Sequence, residues 1–491
     1  MWPASHPRAG RSAAGRAGTG GSVGRRHRRP ERSYRRFAVV AVAVMALASL
    51  FGAVALAGPD ARSSFGLGTA AAQYPPVPMP ALRPLTPTAP VPSAAGITQA
   101  LSSQLDAPEL GEVTGVVMDS AAPRGVKPIW ERDGNRGMVP GSTTKLLTAA
   151  AALLSLNPTD RLATRVVPGP TPDSVVLVGS GDPSLTALPD GQDGLYPEPA
   201  RIADLAEQVK KAVGRPITTV YTDASLWKGP AESPGWGPTD VADGYVPPMS
   251  ALMLDGGRTD PLQQDGPRST DPAAAAGRAL ARALGASDVR EGVAAANAPV
   301  LGSVSSPPVA SLIEYMLTAS DNVTAEAMAR QVAVSKDAEA SFDGASKAVT
   351  EALVQAGYDV SGLRLADGSG LSRDNLIPAR LLGAVLASAA AQSDSPTDVQ
   401  FLRPILTGLP VAGGGGTLAD RFGDPRSVAG RGVVRAKTGT LSGASSLAGV
   451  VTDVDGRLLV FALLSNGTSP ADARPALDRI AATLSRCGCR G

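Results

Sequence analysis

The chain has 491 residues, 43% of them hydrophobic, enough apolar material for a large core and more than one domain. Its formal net charge of +2 is unevenly spread: residues 1–36 hold ten Arg against one Glu, a net +9, so the rest carries −7, which argues against a nucleic-acid-binding body. Both histidines, His6 and His27, fall in that arm, so the body has no Ser-His-Asp or Cys-His catalysis and few routes to a zinc site, and its general base must be a lysine, a carboxylate or a tyrosine.

Residues 1–36, rich in Gly, Ala, Ser and Arg, read as a disordered cytoplasmic arm. The 22 uncharged positions Phe37 to Gly58 follow Arg35-Arg36 and can cross a bilayer with the arm inside and the body outside. Ala53-Val54-Ala55 and Ala55-Leu56-Ala57 resemble signal cleavage sites, but the span exceeds a usual signal core, so an uncleaved anchor is preferred. Residues 59–97 are Pro/Ala-rich and aperiodic, an extended spacer.

Order begins with a short helix over 98–105, then strands over 112–119 and 127–132 joined by a turn at Ala121-Pro123-Gly125. Pro140-Gly141-Ser142-Thr143-Thr144-Lys145 then opens an Ala/Leu helix that Asn157-Pro158 stops. Ser142 would sit near a helix N-terminus, where free N–H groups favour developing negative charge, with Lys145 one turn further on the same face. The helix carries no other charge and should be buried nearly all round. A nucleophilic serine beside a lysine base is one reading, and an N-cap with a snorkelling lysine is the other. Taken alone the pattern favours the second reading, because such short patterns recur by chance: Ser225-Leu226-Trp227-Lys228 fits it too, although Gly229-Pro230 forbids a buried helix there.

Residues 166–300 change character, with many Gly and Pro, short strands at 174–178 and 218–222 and a helix near 203–213, and read as a domain inserted into the catalytic fold. Gly179-Ser180-Gly181-Asp182-Pro183 lacks the lysine and following helix of a phosphate loop. Helical periodicity returns over 307–319, and a second helix over 325–332 leaves Ser320-Asp321-Asn322 on the turn between them. Asn322-Val323-Thr324 is a nominal glycosylation sequon, discounted in a buried turn. A strand over 432–436 runs into Lys437-Thr438-Gly439-Thr440, a hairpin pairs 446–452 with 457–464 around Asp453-Val454-Asp455-Gly456, and a helix follows from about 471. The result is an antiparallel sheet with strands from both ends of the chain. Cys487 and Cys489 are too close in sequence to staple distant parts and could pair with another chain or stay inert.

Ser142-x-x-Lys145, Ser320-Asp321-Asn322 and Lys437-Thr438-Gly439 stand in the order of the signature of penicillin-binding proteins and serine β-lactamases. Only eight of the 46 cationic residues are lysines, so keeping lysine at 145 and 437 is informative: unlike arginine, lysine can lose its proton when desolvated. Val178-Gly179-Ser180-Gly181-Asp182-Pro183-Ser184-Leu185, Asp223-Ala224-Ser225 with Trp236, Pro247-Pro248-Met249-Ser250-Ala251-Leu252, Asp367-Gly368-Ser369-Gly370-Leu371-Ser372 and Gly416-Thr417-Leu418 extend the likeness. Over about residues 98–485 the chain resembles the D-alanyl-D-alanine carboxypeptidase/endopeptidases of the class C penicillin-binding proteins. The insertion is shorter than usual in that family, and the basic arm with its anchor is not a general family feature.

The resemblance implies an α/β (α+β) penicillin-binding protein/β-lactamase-like fold: an antiparallel sheet flanked by helices, a helical lobe, and an accessory domain (166–300) splitting the catalytic domain into 98–165 and 301–491. It implies peptidoglycan stem peptides ending in D-Ala-D-Ala as substrate, β-lactams as covalent inhibitors, no cofactor or metal, and a body outside the bacterial cytoplasmic membrane. Ser142 would attack the penultimate D-alanine, Lys145 would take its proton, and the N–H groups of Ser142 and Thr440 would hold the oxyanion. Ser320 would relay a proton to the leaving D-alanine, Asn322 would bind the substrate amide, and Lys437, Thr438 and Thr440, with Gly439 in the same strand, would bind the terminal carboxylate. Asp321 is expected to cap the next helix rather than tune charge near Lys145, and Asp367 and Ser369 to shape a turn. The alternatives are a serine β-lactamase, for which the chain lacks a Glu-x-x-Leu-Asn motif, and a catalytically silent wall-binding scaffold.

Overall fold

The computed structural model describes residues 85–86, 88–122, 127–391 and 400–490. The basic arm, the expected membrane span and most of the spacer lie outside the described residues. Among the described residues no helix is long and apolar enough to cross a membrane.

The elements run α1 (Ala94–Leu105), β1 (Glu112–Asp119), β2 (Trp130–Arg132), β3 (Gly137–Met138), α2 (Thr144–Ser155), β4 (Ala163–Pro168), β5 (Ser174–Val178), α3 (Ile202–Val213), β6 (Thr219–Asp223) and α4 (Pro272–Leu284). They continue with β7 (Asp288–Glu291), β8 (Gly302–Ser305), α5 (Val309–Thr318), α6 (Asn322–Ser335), α7 (Phe342–Gln355), β9 (Ile377–Pro378), α8 (Ala379–Ala390) and α9 (Arg403–Thr407). The chain closes with β10 (Val434–Leu441), β11 (Ala444–Thr452), β12 (Leu458–Asn466) and α10 (Pro470–Ser485).

The main sheet has the order β10-β11-β12-β1-β2, antiparallel throughout, so a strand from the start of the body lies beside one from its end. Both faces are covered, which is why β12 reads as an unbroken apolar run rather than an alternation. Leu459, Phe461 and Leu463 point into a core shared with α1 and α10, while Val460, Ala462 and Leu464 point into a larger core built from α2 and α5 to α8. Within that larger core α2 is surrounded, with every residue from Thr144 to Leu153 buried.

A second sheet, β7-β6-β5-β4-β8, occupies the region read as an insertion. Strands β5, β6 and β7 are parallel, joined through α3 and α4, and their apolar residues form a core of their own.

Local boundaries differ from the sequence reading where caps and partners decide them. The first helix starts at Ala94, because Ser93 caps it by accepting from Gly96 N, and the Ser93 amide bonds the carbonyl of Cys489. The second strand shrinks to Trp130–Arg132, which pairs with Val117 to Gly115 of β1. The lysine of Lys437-Thr438-Gly439 lies inside β10, not after it. Cys487 and Cys489 pair with each other, their Cα atoms 4.9 Å apart, which is neither of the alternatives left open by the sequence, a bond to another chain or inert thiols.

Candidate active site

Ser142 lies on a single 3-10 turn, Gly141–Thr143, that runs directly into α2. Close approach to β10 explains the glycines around it. Gly141 has φ +55°, and a Cβ there would stand 2.7 Å from the Thr440 nitrogen. A Cβ at Gly439 would stand 2.2 Å from both the Pro140 carbonyl and Ser446 Oγ. Ser446 Oγ and Thr143 Oγ1 both donate to that carbonyl, at 2.5 and 2.9 Å, and so tie the serine turn to the sheet.

The Lys145 side chain is fully buried and its Nζ has three partners: Ser142 Oγ at 2.9 Å, Asn322 Oδ1 at 2.7 Å and the Ser369 carbonyl at 2.7 Å. Three partners saturate an ammonium. When one proton leaves, the amide oxygen and the carbonyl hold the remaining two N–H groups and the lone pair is left facing Ser142. Burial pushes the lysine down to about 8, against the opposing charges of Asp367, Asp321 and Glu326. Lys437 is also fully buried, and its Nζ donates to Ser320 Oγ at 2.8 Å and to the Thr438 carbonyl at 2.9 Å. Burial, then the charge of Lys145, holds Lys437 well below the ordinary lysine value.

Ser320 has φ +59° at the position after the C-cap of α5, where Asp321 N–H returns to the Met316 carbonyl at 3.1 Å. Helices usually close this way with glycine, so a serine here is held in a strained conformation by its surroundings. Asp321 then caps α6, accepting from Thr324 N and Thr324 Oγ1 at 2.7 Å each, as the sequence predicts. It also forms a buried pair with Arg258 at 2.8 Å and accepts from Tyr196 at 3.2 Å, both from the region read as an insertion. Burial alone would raise this carboxyl, but Arg258 and Arg268, with the Thr324 bonds, hold it at about 2. Asn322, the first residue of α6, divides its amide: the oxygen serves Lys145 and Nδ2 donates to the Tyr245 carbonyl at 3.1 Å.

Strand β10 is at the sheet edge, and Ala436 N–H faces outward to the Pro410 carbonyl at 3.0 Å. Antiparallel alternation therefore turns the N–H groups of Thr438 and Thr440 outward too. Ser142, Ser320, Asn322, Thr438 and Thr440 all line one cleft of about 910 Å³.

Two buried residues that hold this arrangement, Glu326 and Arg330, were not singled out in the sequence. Glu326, fully buried on α6, accepts from Gly368 N at 3.0 Å and Ser369 N at 2.8 Å and pairs with Arg330, so it places the carbonyl that Lys145 uses. Burial, then the charge of Asp367, raises Glu326 above the usual carboxylate range. Asp367 shapes a turn, as the sequence leads one to expect, accepting from Gly370 N at 2.8 Å and Ser372 N at 2.6 Å, and it also accepts from Trp236 Nε1 at 3.1 Å. The second Ser-x-x-Lys, at Ser225 to Lys228, carries no helix.

Residues 97–266 and 263–487 match the D-Ala-D-Ala carboxypeptidase 3 (S13) family. The chain belongs to that family. A carboxypeptidase of Mycobacterium tuberculosis is 45% identical over 411 residues, covering 83% of this chain and 87% of that one. Carboxypeptidase DacB of Mycolicibacterium smegmatis is 43% identical over 438 residues, 86% and 91% of the two chains. The crystal structure of penicillin binding protein 4 (dacB) from Haemophilus influenzae shares the fold, with a TM-score of 0.63 at 23% identity over 79% of this chain and 98% of that one. A further structure of that protein is a complex with a β-lactam, TM-score 0.58 and 22% identity over 79% and 98% of the chains. This carboxypeptidase family membership also accounts for the length of the body, since both mycobacterial relatives are matched over most of their own length.

Proposed function

We propose that this serine D-Ala-D-Ala carboxypeptidase acts through an acyl-enzyme on Ser142, on peptidoglycan stem peptides ending in D-Ala-D-Ala. The observation that carries the assignment is the contact of Ser142 Oγ with the fully buried, partly neutralised Lys145. Neutral Lys145 takes the Ser142 proton as Oγ adds to the penultimate D-alanine carbonyl, and the oxyanion sits between the N–H groups of Ser142 and Thr440. The C–N bond then breaks, and the proton that Lys145 took passes through Ser320, which Lys437 backs, to the leaving amine, so Lys145 is neutral again. Water adds to the ester as Lys145 accepts its proton, the C–O bond to Ser142 breaks to release the acid, and Lys145 returns the proton to Ser142 Oγ. Asn322 holds the substrate amide, and Thr438 and Thr440 present hydroxyls to the terminal carboxylate. Gly439 serves by having no side chain.

β-Lactams mimic the scissile amide and would acylate the same serine, as suits a family whose Haemophilus relative has been seen with one. The uncharged stretch 37–58 after the basic arm supports a body anchored on the outer face of the cytoplasmic membrane. Mass spectrometry tests the central assignment. Penicillin should add its mass to the peptide carrying Ser142, and purified muropeptides should lose one D-alanine, whereas an adduct elsewhere would refute it.

A further inference from the structure

The carboxylate of a D-Ala-D-Ala terminus needs a positive charge, and Lys437 is badly placed to give it. Its ammonium is fully buried, spends two donors on Ser320 Oγ and the Thr438 carbonyl, and is not among the residues of the cleft wall. Four arginines do reach that wall: Arg268, Arg373, Arg421 and Arg474. Arg268 gives its donors to the carbonyls of Gly244, Gly256 and Gln264. Arg421 is neutralised by a two-pronged bond to Asp478 at 2.7 and 2.8 Å. Arg373 bonds the Ser442 carbonyl at 2.7 Å.

Arg474 differs from all three in its contact with Thr440. It projects from the second turn of α10, and its Nε and Nη2 donate to Thr440 Oγ1 at 3.2 and 3.0 Å. Among the described residues no carboxylate is within ion-pair distance of it. Its guanidinium thus touches the hydroxyl assigned to the substrate carboxylate and keeps donors to spare. A planar fork of this kind matches a carboxylate in a way that a point charge does not. Thr440 can turn its own hydroxyl hydrogen to the same anion while still accepting from Arg474.

We propose that Arg474 is the cationic residue that binds the carboxylate next to the scissile amide, shared by D-Ala-D-Ala peptides and β-lactams, with Thr438 and Thr440 as its hydroxyl partners. The assignment rests on the Ser142 acyl-enzyme reading and adds a residue that none of the three sequence motifs contains. Lys437 is thereby left to the Ser320 end of the site.

The test compares acylation of the full-length protein by benzylpenicillin and by its methyl ester, in wild type, Arg474→Ala and Arg474→Lys. In Arg474→Ala the second-order constant for the free acid should fall about ten- to hundredfold, the range for a hydrogen bond to a charged group, while the ester constant changes by less than about twofold. Arg474→Lys should fall between. Hydrolysis of a D-Ala-D-Ala peptide against its C-terminal carboxamide should show the same selective loss. Equal losses for acid and ester would mean that Arg474 only orients Thr440, and unchanged selectivity would mean that it does not meet the carboxylate; either overturns the proposal. If the wild type forms no adduct at Ser142 with either compound, the nucleophile assignment falls first and takes this one with it.

Discussion

The protonation state of Lys145 should govern acylation in a way that a pH profile reads directly. With the lysine at about 8, roughly one molecule in ten carries it neutral at pH 7 and one in a hundred at pH 6. Since only the neutral amine can accept the serine proton, the second-order constant for penicillin acylation should rise about tenfold per pH unit to about pH 8 and then level off. Stability should follow the same group. Its native value lies below its unfolded value of 10.5, so the unfolded state binds more protons between about pH 8 and 10.5. The cost of burying the ammonium is therefore full below pH 8 and is relieved as pH rises through that window, by about 3 kcal/mol in all. Stopped-flow acylation from pH 5.5 to 9.5, with urea unfolding of wild type and Lys145→Met at pH 7 and 10, measures both. An acylation profile flat below pH 8, or a Lys145→Arg protein that keeps the plateau, would refute the reasoning, because a guanidinium stays charged throughout.

Ser142→Ala should abolish labelling by a fluorescent penicillin, and Ser225→Ala in the second Ser-x-x-Lys should leave it intact; gel fluorescence reads both. Gly141→Ala would set a Cβ 2.7 Å from the Thr440 nitrogen at positive φ, and its acylation constant should fall at least about tenfold, as follows when an oxyanion donor is displaced. Arg258→Met strands a buried Asp321 and should cost about 3–5 kcal/mol in urea unfolding, with less than additive loss in combination with Asp321→Asn. Lys437→Arg must force a larger group into a fully buried space against Ser320, so it should lose more than tenfold in acylation constant while Arg474→Lys keeps partial activity.

The three motifs were legible because each pairs a reactive residue type with a local context: a loop entering an apolar helix, a polar turn between helices, a lysine entering a strand. The main sheet was legible for the same reason, since β11 and β12 flank an Asp-Val-Asp-Gly turn. The supporting residues had no such signal. Glu326 and Arg330 share the i,i+4 spacing of many exposed pairs, and only packing under the Asp367 turn makes them buried determinants of where Lys145 sits. Arg258 and Tyr196 are far in sequence from Asp321, and Trp236 from Asp367, and no periodicity announces a pairing over such a separation. Arg474 sits on a helix that sequence reading places after the last strand without saying which wall it faces.

The placement of β1 between β12 and β2 bears on how the protein comes to exist at all. On a ribosome the segment of β1 emerges early and has only β2 to pair with, because its other neighbour, β12, ends at Asn466, near the end of the chain. A two-stranded remnant is not stable alone, so the central sheet cannot close while synthesis is under way. Thr440, the proposed oxyanion donor on β10, is equally late. For a body proposed to act outside the cytoplasmic membrane this timetable is an advantage: whatever is still being threaded remains pliable, and the proposed nucleophile gains its surroundings only after the final strands have arrived.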